Sequence, residues 1–511
     1  MKVEMTVNDF LDRAAAVYPD RVAIIDEPDQ PAKPLPTLTY AELADVKRQM
    51  GVAMDEMGIP MGGKVAMVSA NAARLQTCFY GVSGNGRIFI PVNHRLSAAE
   101  VSYIVEHSES EALLVDRELA DALAEVECER KWIIGEESDA AWLGREGEPA
   151  PWEPNEDETA SINYTSGTTA RPKGVEQTHR ARWTNAVTFG WHTGVSDRDV
   201  YLHTLPMFHC DGWGMHHAVT GMGGKHIILR KIDGAEILRR VAEHGVTLMC
   251  GAPAVVAAVL DAAKDWDGEI PGKDTVRVVV AGAPPPTAII EQVETVLGWE
   301  LIQIYGLTET APLLTINRCR PEWDELTPGD RAAKLARQGV PALGVEMKIS
   351  ESGEFLARSN NVMSGYWANP DATNEALEGG WFHTGDGGVV DDEGHYQILD
   401  RKKDVIISGG ENVSSIEVED ALFSHPDVGE AAVIGVPHEK WGETVKALVV
   451  PVAGSTATEQ DIIDHCREKI AHYKCPTSIE FRDELARTST GKLQKFKLRE
   501  PYWEGYDKAV N

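Results

Sequence analysis

The feature that most constrains this chain is an alternation: short apolar, β-branched runs separated by stretches with helical periodicity. Residues 6–17 put Val7, Phe10, Leu11 and Ala14 on one helical face, and Val22-Ala23-Ile24-Ile25 follows as a strand. A Pro-rich loop at 28–36 leads to Leu38-Thr39-Tyr40 and a helix over about 41–58. Strands at 64–68, 86–92 and 112–115, with helices opening at Asn71 and near 98–107, continue the pattern. It resumes after 179, with strands at 200–202, 225–229, 246–249 and 276–280 and helices at 234–244, 254–263 and 287–297. Strands and helices joined by short loops predict an α/β fold with parallel segments. A length of 511 residues exceeds one ordinary core, so two or more domains are expected. Residues 137–158 are acidic and rich in Gly and Pro, and read as an exposed connection. From about 339 the strands shorten, and Asp391-Asp392-Glu393-Gly394 predicts a hairpin turn. Beyond a charged junction at Asp400–Asp404, elements at 405–407, 415–423, 430–436, 445–452 and 458–471 predict a small α+β domain.

Charge narrows the range of partners. Lys and Arg total 49 against 80 Asp and Glu, a net charge of −31. No general basic field exists to draw a polyanion, which excludes broad nucleic-acid or anionic-membrane binding. An anionic substrate must therefore meet a local cationic site or a bound metal. The seven cysteines are scattered, odd in number and never spaced Cys-x-x-Cys, and read as reduced thiols of a cytoplasmic protein. The first ten residues lack the apolar core of a signal peptide, and no run approaches the roughly 18 apolar residues of a membrane span.

One stretch answers the need for a local anion site. Residues 164–175, Tyr-Thr-Ser-Gly-Thr-Thr-Ala-Arg-Pro-Lys-Gly-Val, carry hydroxyls at Thr165, Ser166, Thr168 and Thr169, glycines at 167 and 174, and cations at Arg171 and Lys173. Such a turn, set between the strand at 161–164 and a helix from His179, suits a polyphosphate. A polar surface loop has the same composition. It is not a Walker A loop, because Gly-Lys-Ser/Thr does not follow at the required spacing.

Three further motifs follow. Gly282-Ala283-Pro284-Pro285-Pro286 stands just after a strand, at the edge where open α/β sheets bind ligands, although an ordinary βα loop would look alike. Tyr305-Gly306-Leu307-Thr308-Glu309 sets an aromatic ring, a hydroxyl and a carboxylate within five positions. The ring can stack on a base, the hydroxyl can bond a phosphate oxygen and the carboxylate can hold Mg²⁺. A buried strand end with a helix N-cap is the alternative. Trp381-Phe382-His383-Thr384-Gly385-Asp386 places a carboxylate after a turn glycine, as a partner for ribose hydroxyls or as a turn residue only.

In this order and spacing the motifs resemble the adenylate-forming superfamily of acyl-CoA synthetases, aryl-CoA ligases, luciferases and peptide-synthetase adenylation domains. The resemblance covers nearly the whole chain, from Leu38–Leu43 and Pro91–Leu96, through Gly365-Tyr366-Trp367, Asp400–Asp404 and Ser408–Val413, to Thr488-Ser489-Thr490-Gly491-Lys492. It implies a large N-terminal domain, 1–400, of α/β sheets with a distorted barrel, and a small mobile α+β domain, 401–511, that carries a catalytic lysine. It also implies ATP, Mg²⁺ and coenzyme A as cofactors. Thr165, Ser166, Gly167, Thr168, Thr169 and Lys173 would grip the β- and γ-phosphates. Gly282, Ala283, Pro284 and Tyr305, with Gly306 beside them, would frame adenine, Thr308 would touch the α-phosphate and Glu309 would coordinate the metal. Asp386 and Arg401 would hold ribose, and Lys492 the α-phosphate and carboxylate oxygens. The small domain would rotate about Lys403, bringing Gly409 and Gly410 to the site of thiol attack. The implied reaction activates a small-molecule carboxylic acid as an acyl-adenylate and passes it to CoA.

Three departures from the family pattern stand out. Ala170 occupies a position usually glycine, and Ser414-Ser415 stands where an aromatic or serine followed by proline is common, which touches the thiolation face. In Phe208–His217, which resembles the segment flanking the acyl group, His209 is a gate-like position and Trp213 and Gly306 join it in the pocket. Asp211 there replaces a commonly neutral residue: it either recognises an amine on the acid or serves a structural hydrogen-bond network. His209, Cys210, Asp211, His216 and His217 match no zinc spacing, so a metal site among them is rejected. Transfer to a carrier-protein thiol or an amine instead of CoA, a homodimer, and a nucleotide-binding regulator without catalysis stay open. The last conflicts with Glu309, Asp386, Arg401 and Lys492 occurring together.

Overall fold

Two sheets of mostly parallel strands carry the alternating part of the chain. The structure, a computed structural model, describes residues 1–165, 172–401, 406–408, 411–438, 441–487 and 493–504; of 399–401 and 412 it describes the backbone. Among these residues, one nine-stranded sheet runs in the order Val340–Pro341, Leu313–Asn317, Glu300–Gly306, Arg277–Val280, Leu248–Gly251, Val200–His203, Lys225–Ile228, Val22–Ile25, Leu38–Thr39. Its middle strands are parallel, and antiparallel pairs close both ends. A seven-stranded sheet runs Gly365–Tyr366, Lys173–Thr178, Thr159–Thr165, Ile88–Val92, Lys64–Val68, Ala112–Val115, Arg130–Ile133.

The strands are apolar on both faces because both faces are covered. Val65, Met67 and Phe89 of one sheet and Ile24, Val279, Ile302 and Ile304 of the other join in one core, which also takes in Tyr80, Phe189 and Trp213. The alternate residues, Ala66, Val68 and Ile90, and Leu202, Ile227 and Val278, pack under helices on the outer faces. Each fully buried side chain of this kind stabilises the fold by about 1.5–3 kcal/mol. Local signals agree with the pattern: the helices Tyr40–Glu56 and Ala98–His107 each open on a capping box, Thr39 with Glu42 and Ser97 with Glu100.

Several elements escaped the sequence reading, two of them next to each other. Arg130–Ile133 is a half-buried edge strand, and the stretch expected as an exposed connection contains the helix Glu136–Trp142. That short helix is anchored by Trp142, which is 3% exposed and meets the Trp132 ring edge-on at 5.6 Å. Its two buried residues are Ser138 and Trp142, and a single large apolar side chain in seven residues shows no apolar period.

The part beyond about 339, where the strands shorten, is a four-stranded antiparallel sheet, Val345–Ile349, Glu354–Ser359, Phe382–Val390, Tyr396–Arg401. A bridge between Gly339 and Tyr396 ties it to the chain entering the nine-stranded sheet. The hairpin predicted at Asp391–Gly394 joins its last two strands. The chain next enters a separate sheet in which Glu411–Val413, Ile406–Ser408, Gly442–Pro451 and Val428–His438 are antiparallel neighbours and Ser478–Phe481 adds in parallel. The change of sheet therefore falls between 401 and 406. Asp420, on the helix Ser415–Phe423, accepts hydrogen bonds from the backbone N–H of Thr287 at 3.0 Å and from its hydroxyl at 3.1 Å. Ser414 caps that helix by accepting from the Glu417 N–H, which gives the departure at 414 a local structural use. All seven cysteines are free thiols. Among the described residues no helix is long and apolar enough to cross a membrane.

Candidate active site

The polyphosphate stretch sits differently from its expectation. Thr159–Thr165 and Lys173–Thr178 are antiparallel, with Thr165 directly opposite Lys173, so residues 166–171 connect two strands of a hairpin. The helix His179–Thr193 begins only after the second strand and is capped by Thr178. The described flanks of the stretch are therefore two strand ends, Thr165 and Lys173, and not a strand end and a helix N-terminus. Ser166, Gly167, Thr168, Thr169, Ala170 and Arg171 lie outside the described residues.

Lys173 reaches the ring of Tyr366, its ammonium 4.7 Å from the centroid, and the Tyr366 hydroxyl donates to Glu309 Oε1 at 2.8 Å. Tyr366 is held there because Gly365–Tyr366 pairs with Glu176 and Val175 of the same hairpin. Burial and the Glu309 charge push the Tyr366 phenol well above its ordinary value, so it stays protonated and donates. The sequence marked Gly365-Tyr366-Trp367 as a motif without assigning Tyr366 a role; the signal available was an aromatic hydroxyl within a family motif.

Glu309 lies in the short turn Thr308–Thr310 that follows the strand Glu300–Gly306. The chain makes this turn because Gly306 has no side chain: a Cβ there would fall 1.6 Å from the Pro312 carbonyl oxygen. Gly306 thus acts through a close backbone approach. Thr308 is buried, with its hydroxyl 2.9 Å from Cys210 Sγ and its carbonyl accepting from Gln177 Nε2 at 2.7 Å.

Two residues expected to meet the nucleotide touch each other directly: the Tyr305 hydroxyl donates to Asp386 Oδ2 at 2.8 Å, and both are buried. Asp386 is in register with Arg401 across antiparallel strands. Adjacent strands pair Val280 with Gln303, so Gly282, just past its strand, and Tyr305, still in its own, lie two residues on at the same end of the sheet. Gly282 takes φ +88°, open to glycine and strained for other residues, and Gly282 and Ala283 are exposed while Pro284 is half-buried.

Of the residues expected to line the acyl pocket, His209 is half-buried and Trp213 is 3% exposed. Asp211 is a correction to the amine-recognising alternative. It is fully buried, its Oδ1 accepts from Asn163 at 2.7 Å, and its Oδ2 accepts from Ser161 and faces Arg182 Nη1 at 3.2 Å. The carboxylate is committed to a structural network. Lys403, Gly409, Gly410 and Lys492, and the side chain of Arg401, lie outside the described residues. Among the described residues, the one cluster with metal-ligand spacing is Asp391, Glu393 and His395, far along the chain from His209; Arg337 and Lys334 already pair with its carboxylates.

The AMP-binding enzyme family matches residues 11–367, and the AMP-binding enzyme C-terminal domain matches 417–492. The 2-methylpropanoate–CoA ligase of Humulus lupulus is 37% identical over 96% of this chain and 94% of its own. The peroxisomal benzoate–CoA ligase of Arabidopsis thaliana is 34% identical over 98% and 93%. The anthranilate CoA ligase solved with anthranoyl-AMP superposes with a TM-score of 0.87 at 26% identity, covering 98% of both chains. The chain belongs to the adenylate-forming AMP-binding enzymes. It is an ATP-dependent, AMP-forming acid–thiol ligase of the acyl-CoA synthetase kind, using ATP, Mg²⁺ and CoA.

Proposed function

We propose that this ligase activates small carboxylic acids that carry no charge beyond the reacting carboxylate, short aliphatic or simple aryl, and that the residues assembled above divide the work as follows. The observation that carries the reading is the convergence of Lys173, Tyr366 and Glu309 beside Thr308, with the Tyr305–Asp386 hydrogen bond joining two sheets, close by in the chain to Glu309 and in register with Arg401. The support for small acids is the naming of relatives for 2-methylpropanoate, butyrate and benzoate, together with an Asp211 whose charge is balanced internally.

A carboxylate oxygen attacks the α-phosphorus of ATP, the bond to the β-phosphate bridging oxygen breaks, and pyrophosphate leaves with that electron pair. The CoA sulfur then attacks the acyl carbonyl, AMP departs and the thiol proton is lost. Two anions must meet in the first step, so the protein's contribution is chiefly positioning and charge compensation. Lys173, with Thr165, Ser166, Gly167, Thr168 and Thr169, holds the departing phosphates. Asp386 and Arg401 fix ribose, Tyr305 and the 282–284 turn flank adenine, and Thr308 and Lys492 attend the α-phosphate. Glu309 fits a hard cation: it is an oxygen donor, half-buried, with one side-chain hydrogen bond from a neutral phenol. When bound, Mg²⁺ supplies charge neutralisation on the phosphate oxygens. The reading includes a domain boundary at 400/401, a hinge at Lys403, thiolation beside Gly409 and Gly410, and a cytoplasmic location on the strength of seven free thiols.

Acid-dependent ATP–pyrophosphate exchange over butanoate, 2-methylpropanoate, benzoate and 2-aminobenzoate tests this. Exchange with such acids, followed by CoA consumption, is expected. Exchange confined to acids outside this set would overturn the substrate class, and exchange without CoA consumption would overturn the acceptor.

A further inference from the structure

The turn after Phe208 is unusual in its backbone. Cys210, Asp211, Gly212, Trp213 and Gly214 run consecutively through left-handed conformation, with φ of 40°, 38°, 56°, 56° and 74°. Among the described residues no other left-handed run is as long. Three of the five are not glycine, so the turn is strained and persists only if its surroundings over-determine it.

A buried polar network does so. Arg182, 2% exposed, places Nη1 3.2 Å from Asp211 Oδ2 and donates through Nη2 to the Asp211 carbonyl at 3.0 Å. The same guanidinium donates to Gln177 Oε1 at 3.0 Å, and Gln177 Nε2 donates to the Thr308 carbonyl at 2.7 Å. Asn163 donates to both the Phe208 carbonyl and Asp211 Oδ1 at 2.7 Å, and stands two residues before Thr165. His216 Nε2 lies 3.4 Å from Arg182. One buried ion pair thereby reaches both strands of the phosphate hairpin, the acyl turn and the Thr308 turn. Burial pushes the Asp211 carboxyl above its ordinary value, and the Arg182 charge pulls it back.

We propose that Arg182 and Asp211 are a positioning pair that locks the left-handed 210–214 turn onto the Thr308 turn, leaving the acyl side matched to an acid with no charge beyond its reacting carboxylate. The inference rests on the acid-activating reading above. It accounts for the acidic residue at 211 without a substrate amine: its counter-charge is the arginine on the helix His179–Thr193. The carboxylate of a buried pair whose oxygens are taken offers nothing to a ligand, whereas removing one partner leaves the other charge stranded.

The test is pyrophosphate exchange by the full chain carrying Asp211→Asn, Arg182→Met or both, on butanoate, benzoate and 2-aminobenzoate. Each single change is expected to lower kcat/KM by roughly 10- to 100-fold on whichever of these acids the wild type uses, in equal proportion. KM for the acid rises as kcat falls, while KM for ATP stays within about threefold; an unfolded fraction would lower kcat alone. The double variant is expected to recover about tenfold or more over the weaker single variant, because both buried charges are gone. If a single variant fails to fold, a folded, active double variant is the same result. Loss confined to 2-aminobenzoate, or a double variant whose loss is the product of the single losses, overturns the pair. Wild-type protein inactive on every acid overturns the functional reading instead, before any variant is compared.

Discussion

The two sides of the site treat their carboxylates in opposite ways. Asp211 on the acyl side is wholly buried and surrounded by Ser161, Asn163 and Arg182, its charge cancelled by a cation of the fold. Glu309 on the nucleotide side is half-buried and receives, among the described residues, one side-chain hydrogen bond from the neutral Tyr366. A charge already compensated builds scaffold, and a charge left to be compensated attracts a ligand. Two carboxylates whose chain neighbours Cys210 and Thr308 touch at 2.9 Å thus do different work, and burial with partner charge decides which.

The largest expected effect separates the two sides by activity. Glu309→Gln should lower pyrophosphate exchange by about 10²–10³-fold while changing unfolding free energy by less than about 1 kcal/mol. A stability loss of about 3–5 kcal/mol, the scale expected for stranding Arg182, would erase the distinction.

Acid should find the scaffold side next. His179 and His226 are buried without charge, and burial lowers them from 6.5 to about 4 and about 3. His216 and His217, just after the 210–214 turn, are held well below their ordinary value by burial, with Arg182 among the charges that lower them. Unfolded histidines take up protons near 6.5 and these folded ones do not, so stability is whole above 6.5 and falls as pH drops through the window below it. Between pH 6.5 and 5, His179 and His226 should each remove about 2 kcal/mol from the unfolding free energy. Urea unfolding at the two pH values measures this, and an unchanged midpoint would refute it.

The smallest effect sharpens the nucleotide side. Tyr366→Phe removes the donor to Glu309 and keeps the ring under Lys173, and should cost about tenfold in exchange. No loss would mean that Glu309 needs no orienting partner.

Much of this was legible in the chain. Apolar strands read as strands because burial on both faces leaves continuous β-branched runs, and Asp386 and Arg401, named as partners, prove to be register neighbours. Tyr305 and Asp386 were assigned separately, to the base and the sugar, and are in fact joined by a hydrogen bond. Non-local charge pairing was not legible: Arg182 lies 29 positions from Asp211 in a helix of ordinary pattern, so nothing local signals that it neutralises the carboxylate. The strand Lys173–Thr178 was hidden for a related reason, since its Lys-Gly-Val-Glu-Gln-Thr run is too polar to advertise a ladder supplied by its neighbours.

The most direct test is a crystal structure of the full chain with a non-hydrolysable acyl-adenylate analogue of 2-aminobenzoate, in which a sulfamate replaces the phosphate. The account predicts ribose hydroxyls on Asp386, adenine between Tyr305 and the 282–284 turn, and Asp211 still paired with Arg182 and out of reach of the amine. Ribose held elsewhere, or the ligand amine hydrogen-bonded to Asp211, would contradict it.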